Sequence, residues 1–512
     1  MYYFINNAFT STMSGIGHAQ LKRFFLFKQN RVPVKLITTD FDLRRPKALE
    51  EKGISPNENI NMFDFFGGMV GLKKRSFTFD DLNISKEYAV ENVNLVFNVR
   101  KGNRLILKVE MFSDDTSQVK KVTYYDKNGA TRETDWWDPR GFKILEQYYN
   151  KDEKIDVERG VNQQGVVFYE TYHFGKKYDK STNCLYRILN YHGYDYEFDG
   201  FKEMATFFFD ELIKYDRQNG ENDIFVNDAS LQLGKALLDT TEKSFKLMQL
   251  HNNHTNDADE PLHSSLNFNY EYTLRHFSKW QGVTAPTQTQ VTNVVRRFGK
   301  HPETFLIPVG VIEDKVLKSP QIPISKRHPN EIVMIARLSP EKRINHAVQA
   351  MEKVLKVCPN VQLNIYGYAN GKTGDEVKQL VKEKHLTDSI HFKGYVTDIR
   401  DVYENAQLSI LTSTVEGLPL SLIEAQSYGV PLISYDINYG PRDVINDEKD
   451  GYLVKGGDID EIAKKIIKVM SDDELRQKLS RGAYEDRNKY SSENVWHAWE
   501  KLDVAAHNYF NN

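Results

Sequence analysis

The chain has 512 residues, 40% of them hydrophobic and 27% charged, and its 68 basic and 71 acidic side chains leave a net charge of −3. That is an ordinary globular composition, and the length suggests roughly three domains or two large ones. Without a basic excess, nucleic acid is not an expected partner. The two cysteines, Cys184 and Cys358, stand far apart in no Cys-x-x-Cys or Cys/His spacing, which argues against a disulfide framework or zinc site and reads as buried thiols.

Residues 1–7 lack the basic and apolar stretches of a leader, and no run approaches the roughly 18 apolar residues of a membrane span, so a cytoplasmic protein is expected. Residues 2–5 read as a strand, Gly15 and Gly17 as a turn, 19–28 as a helix and 32–38 as a second strand. This alternation predicts a doubly wound sheet with ligands at the carboxyl ends of its strands. Lys73, Lys74 and Arg75 form a short basic run, suited to peripheral membrane contact or simply to a solvated face. From about residue 88 the period becomes two: 104–112, 119–125, 142–149 and 166–172 are strand-like, with a hairpin turn at 127–130. Such an inserted antiparallel meander offers a free face or edge to an acceptor or another copy of the chain. Its aromatics, among them Trp136, Trp137, Tyr148, Tyr149, Phe168 and Tyr169, read as a packed sheet face rather than a binding platform.

Alternation resumes through 201–215, 223–226, 245–250 and 288–298 to a strand at 304–308, and 311–329 reads as an interdomain linker. A second βαβα unit then runs to about residue 485, with strands at 331–336, 361–367, 390–394, 408–412 and 430–435. Two such domains would face each other across a cleft.

Chemistry concentrates at the strand ends of this second unit. Glu416 and Glu424 bracket Gly417-Leu418-Pro419-Leu420-Ser421, where proline suits a first helical turn. The free N–H groups of a helix start could take a phosphate while the carboxylates grip hydroxyls, although two acids favouring a helix dipole would give the same spacing. Arg337 and Lys342 follow the strand 331–336 and could neutralise a diphosphate, or Arg337 could pair with Glu341 and leave Lys342 solvated. Gly15-Ile16-Gly17 would allow close approach of a phosphate or sugar, a weak signal without dinucleotide spacing. His251 and His254 end a strand of the first unit and are assigned to hydrogen bonding, since no third ligand and no Asp-x-Asp with suitable spacing supports a metal.

Taken together, Arg337 with Lys342, Glu416 with Glu424, the turn Ser14-Gly15-Ile16-Gly17 and Gly394-Tyr395 resemble the retaining glycosyltransferases of family 4, which have the GT-B fold. The meander, with 61–66 and 138–142, resembles more narrowly the bacterial enzymes that glycosylate serine-rich or Ser-Asp-repeat adhesins and the wall teichoic acid α-glycosyltransferases. The resemblance implies an α/β protein of two Rossmann-like domains facing a cleft. Residues 1–87 with 199–315 would form the acceptor-side domain, 88–198 the inserted meander and 316–485 the donor domain, while 486–512 would be a C-terminal helix crossing back to the first domain.

It also implies roles. Glu424 would hold the ribose, Gly394 and Tyr395 the uracil, and Gly417, Leu418, Leu420 and Ser421 the phosphates with Gly15 and Ile16. Glu416 and His254, with His251 beside it, would orient the sugar, while Arg337 and Lys342 would meet the leaving diphosphate. Gly17 and His18 depart from the larger or acidic residues that relatives often carry there. The implied reaction moves a sugar, N-acetylglucosamine foremost, from a UDP-sugar to Ser/Thr hydroxyls of an adhesin, without a metal. The alternative acceptor is a poly(glycerol- or ribitol-phosphate), and a non-catalytic sugar-binding partner subunit is a third reading, which need not keep all four charged residues.

Overall fold

The computed structural model describes residues 1–173, 184–369 and 371–511, and its backbone divides into two units, residues 1–14 with 31–246 and residues 15–30 with 247–512. In the first unit four parallel strands lie in the order Ile224–Asn227, Tyr2–Ile5, Val34–Thr38, Asn59–Asn61. Every residue of Tyr2–Ile5 and Ile224–Asn227 is buried, as parallel strands covered on both faces require. The helix Phe201–Gln218 packs Met204, Phe208, Phe209 and Leu212 inward. Beside Ile224–Asn227 runs the helix Ser230–Leu238, which the sequence pattern did not announce. It is only nine residues long and mostly apolar, so its period is weak.

Ten antiparallel strands, from Ala89–Val93 to Tyr194–Phe198, each pair with the next in sequence. The turn falls where expected, with Gly129 at φ +89° between Val119–Tyr125 and Thr131–Asp138. Trp137, Phe168 and Tyr169 are buried and Trp136, Tyr148 and Tyr149 half-buried, so these aromatics are packed sheet residues. The basic run is partly committed: Lys74 pairs with Asp115 at 2.8 Å and Arg75 Nε donates to the Gly141 carbonyl at 2.9 Å, leaving Lys73 exposed.

The two segments 61–66 and 138–142 meet in a buried ionic joint. Asn61 caps the short helix Met62–Phe66, its side chain accepting from the N–H groups of Phe63 and Asp64. The Asp64 carboxylate then receives Arg140 Nη2 at 2.9 Å and Arg45 Nη2 at 2.8 Å, while Arg140 Nε donates to Asp138 at 2.8 Å. Burial pushes the Asp64 carboxyl up, but the two guanidiniums outweigh it and hold it below the usual range. The meander is thereby clamped to the end of the parallel sheet.

In the second unit, residues 247–249 pair in parallel with Gly282–Ala285, which pairs with Glu303–Leu306. A six-stranded parallel sheet has the order Ile390–Gly394, Gln362–Tyr366, Glu331–Ile335, Leu408–Leu411, Leu432–Asp436, Gly451–Lys455. Its core lies on both faces. Ile332 and Met334 join a cluster with the helices Ile344–Val354 and Ile459–Met470, while Val333 joins one with Tyr403, Leu422 and Ile423. Alternate residues of one strand thus feed opposite layers, which is the doubly wound arrangement.

Three local expectations need correction. Gly15 and Gly17 do not form a turn: the helix Gly15–Gln29 begins at Gly15, where nothing lies within 4 Å of the position a Cβ would take. Residues 311–329 do not run free. They carry the helix Asp314–Leu317, bury Ile312 and Ile324, and include Arg327, whose buried guanidinium donates to the carbonyls of Tyr403, Ala406 and Tyr428. Cys358 is only half-buried, its Sγ 3.2 Å from Ser471 Oγ, and follows the exposed Lys356 and Val357 beyond the helix Ile344–Val354. The Cys184 side chain lies outside the described residues.

The C-terminal helix Ser492–Asn511 sets Trp496 and Trp499 edge-on to Phe27 of the Gly15 helix, both at 5.2 Å. Among the described residues no helix is long and apolar enough to cross a membrane.

Replacing Asp64 with alanine takes the carboxylate from buried Arg45 and one of two carboxylates from buried Arg140, which keeps Asp138, and is expected to cost about 3–5 kcal/mol of unfolding free energy in urea. Lys74→Ala, which breaks an exposed pair, should cost less than about 1 kcal/mol. Similar losses for both would count against the joint.

Candidate functional site

The site grows from the carboxyl ends of Glu331–Ile335 and Leu408–Leu411. After the first strand the chain passes through Arg337 to a 3₁₀ turn at Pro340–Lys342, with Arg343 left-handed at φ +46° before the helix Ile344–Val354. After the second, Thr412 Oγ1 donates to the carbonyls of Lys342 and Arg343, both at 3.0 Å, and the Thr414 N–H donates to the Glu341 carbonyl at 2.8 Å. These bonds stitch the two strand ends together and set the side chains of one against the other.

Lys342 Nζ lies 2.6 Å from Glu416 Oε1, with the side chains only 16% and 10% exposed. The solvated alternative for Lys342 is therefore not what is found. Arg337 does pair with Glu341, at 3.0 Å, and Ser339 Oγ donates to the same carboxylate oxygen at 2.6 Å. Burial raises the Glu341 carboxyl, but the Ser339 hydroxyl, a backbone bond and the charges of Arg337 and Lys342 bring it below the usual range.

Beyond Glu416, a Cβ on Gly417 would fall 2.2 Å from the His251 carbonyl oxygen, so glycine is what lets this loop close against the strand end of 245–249. Leu418 is buried in the core, and Pro419 is the N-cap of the helix Leu420–Ser427, one position before the first turn expected for it. The N–H groups of Leu420 and Ser421, as at any helix start, lack a helical carbonyl four residues back. Tyr403 Oη, deeply buried, donates to the Ser421 carbonyl at 2.9 Å and anchors that turn. Glu424 is the fifth residue of this helix, which has no acid in its first turn. The dipole explanation of Glu424 therefore fails. Its Oε1 instead receives Lys22 Nζ from the Gly15 helix at 2.7 Å.

Gly394, at φ +76° and with open space at its Cβ position, is followed by Tyr395, whose hydroxyl lies 3.1 Å from His18 Nε2. Ile16 is 37% exposed at the start of the Gly15 helix. His251 is half-buried beside Gly417. His254 goes deeper: it has no exposed surface, its Nε2 donates to the Pro261 carbonyl at 3.2 Å, and its Nδ1 has no partner. Burial lowers its pKa to about 4, the Pro261 bond opposing this and Arg297 adding to it. The ring stacks on Tyr439 at 6.1 Å, and Tyr439 Oη accepts from Asn293 Nδ2 at 3.0 Å. A neutral imidazole offering one acceptor nitrogen is the result.

The structure thus joins Arg337, Lys342, Glu416 and Glu424 with His251 and the loop 417–421 through direct contacts or short chain segments. Lys22 and Tyr439 belong to the same network and were not found from sequence, and His18, noted there only as a departure from relatives, joins it through Tyr395. His18 and Lys22 lie four residues apart on one helix face, and Tyr439-Gly440-Pro441 is turn chemistry just after the strand Leu432–Asp436. Both were signals available at strand ends.

Residues 317–486 match the family model for glycosyl transferases group 1. Three relatives align over nearly the whole chain. The poly(glycerol-phosphate) alpha-glucosyltransferase of Bacillus subtilis (strain 168) is 23% identical, with 97% of this chain and 74% of the relative covered. The poly(ribitol-phosphate) alpha-N-acetylglucosaminyltransferase of Staphylococcus aureus (strain COL) is 26% identical, with 95% and 96% covered. The UDP-N-acetylglucosamine–peptide N-acetylglucosaminyltransferase GtfA subunit of Streptococcus agalactiae is 24% identical, with 88% and 87% covered. The crystal structure of the pneumococcal O-GlcNAc transferase GtfA, solved with UDP and GlcNAc, superposes with a TM-score of 0.83 at 20% identity, covering 100% of this chain and 99% of that one. This likeness gives the fold as GT-B.

Because His254 is neutral when folded and free to protonate when unfolded, its contribution to stability is present above about pH 6.5 and lost as the pH falls towards about 4. Urea unfolding of the wild type should therefore weaken across that window by up to about 1.4 kcal/mol per pH unit more than that of His254→Gln. Parallel pH profiles would place the loss elsewhere.

Proposed function

As this chain carries a group 1 glycosyltransferase domain on a GT-B fold, we propose that it is a retaining enzyme transferring N-acetylglucosamine from UDP-N-acetylglucosamine to Ser/Thr hydroxyls of a serine-rich or Ser-Asp-repeat surface adhesin. The observation that carries the reading is the Lys342–Glu416 pair, held beside Arg337 and before the N-terminus of the Leu420 helix. A diphosphate leaving group develops charge in the transition state, and these two cations with the helix N–H groups are set to receive it. The acceptor oxygen forms its bond to the anomeric carbon on the face where the carbon–phosphate-oxygen bond breaks, and its proton passes to the departing phosphate. No protein nucleophile is needed, and on this reading no metal.

Glu416 accepts hydroxyls of the transferred sugar, His254 orients that sugar from beneath the surface, and Glu424 holds the ribose. The names of the full-length relatives support a UDP-sugar donor and divide over the acceptor, peptide in one case and poly(polyol-phosphate) in two. Charge does not decide between them: among the described residues of the antiparallel sheet, Lys121 and Lys108 pair with Glu110, Lys143 with Glu146, and Arg159 and Arg187 with Glu170, while Arg100, Arg104, Lys120 and Arg132 are in no ion pair. The strand Ala89–Val93 is exposed along its length and offers an edge to an extended acceptor or to another copy.

Transfer of labelled sugar from a panel of UDP-sugars to a serine-rich peptide or to poly(ribitol phosphate) tests this. Label entering the peptide from UDP-N-acetylglucosamine is expected, and label entering only the polymer would replace the acceptor. Arg337→Ala and Lys342→Ala should each lower turnover by about 10²–10³. Near-full turnover in the folded variants would remove the leaving-group assignment.

A further inference from the structure

We propose that Lys22 is a positioning residue for the nucleoside half of the donor, its ammonium fixing the Glu424 carboxylate that receives the ribose hydroxyls. The inference rests on the reading of Glu424 as the ribose ligand and adds a residue from the Gly15 helix to it. Glu424 sits in the second turn of its helix, beyond the reach of the dipole at the start. Among the described residues, Lys22 is the side chain that holds this carboxylate, at 2.7 Å, with the two side chains 23% and 14% exposed. A terminal carboxyl torsion is broad on its own, so a single ammonium on Oε1 orients the plane. Two carboxylate oxygens provide about four lone-pair sites, so Oε2 and the rest of Oε1 stay open to a 2′- and a 3′-hydroxyl.

The same helix face makes a second contact of this kind. One turn before Lys22, His18 Nε2 lies 3.1 Å from Tyr395 Oη with the rings 6.5 Å apart and inclined at 29°, and Tyr395 packs edge-on against Tyr368 at 6.0 Å. Residues four apart on a helix share a face. The Gly15 helix therefore braces both the carboxylate read as the ribose ligand and the tyrosine read as flanking the base.

Calorimetric binding of UDP and of 2′,3′-dideoxy-UDP to the full-length wild type, Lys22→Met and Lys22→Arg tests the proposal. Lys22→Met should weaken UDP by about tenfold, as loss of one charged hydrogen bond does, and leave dideoxy-UDP within about twofold. Lys22→Arg should restore most of the UDP affinity, and in turnover the donor KM of Lys22→Met should rise by more than kcat falls. Equal losses for both nucleotides would mean a merely structural lysine and overturn the proposal. So would unchanged or tighter UDP binding, the latter because Lys22 would then compete with the ribose. If the wild type does not prefer UDP to the dideoxy nucleotide, the ribose reading of Glu424 falls and the proposal with it. If the wild type does prefer UDP but Lys22→Met behaves as wild type, only the proposal falls.

Discussion

The contact between Lys342 and Glu416 organises the second unit's chemistry. A lysine and a glutamate so little exposed tolerate each other only as a pair, since either left alone would bear most of its desolvation cost. The pair can form because threonines 412 and 414 bond the backbone of 341–343, bringing two loops from adjacent strands of the sheet side by side. Gly417 then lets the chain pass the His251 carbonyl, and the Leu420 helix starts immediately after. Remove the stitch and the carboxylate, the ammonium and the helix start lose their common geometry together.

The legible part of this protein was the part written in local pattern. Strands such as Glu331–Ile335 and Leu432–Asp436 are buried on both faces, so they appear as mostly apolar runs, and the charged residues that follow them are at the ligand edge by construction. That is why Arg337, Lys342 and Glu416 could be picked out as a group. Gly451–Lys455, by contrast, opens on a glycine and ends in an exposed lysine, too mixed to stand out. Pairing across the chain was not legible at all. Lys22 and Glu424 are 402 positions apart, and nothing in either neighbourhood names the other. The Gly15 helix starts four residues earlier than its pattern suggests, because two glycines also read as a turn.

The same holds for the joint at Asp64. Its two segments stood out as unusual stretches, but only their meeting explains them: Arg140 reaches Asp64 across 76 positions, and Arg45 and Asn59 complete the cluster. An antiparallel sheet of ten strands makes its own ladder and needs no help to form, yet it needs something directional to hold it at a fixed place on the parallel layer. Apolar packing of Phe63 on Tyr169, at 5.0 Å and edge-on, supplies area; the fork geometry of Arg140 supplies orientation.

Charge balance at the site suggests how it selects its ligand. Arg337, Lys342 and Lys22 face Glu341, Glu416 and Glu424, each cation already holding one carboxylate. A bare phosphate arriving there could engage the ammonium and guanidinium groups only while lying close to three anions, so its net attraction is small. On the reading proposed above, a nucleotide-sugar brings hydroxyls as well: the ribose meets one carboxylate and the transferred sugar another, turning the repulsive elements into hydrogen-bond acceptors as the diphosphate meets the cations. Discrimination then comes from carboxylates that penalise the wrong anion rather than from cations that hold the right one more tightly. The paired state also keeps each charged group near its working position before the donor arrives, so less of the binding energy is consumed in ordering side chains.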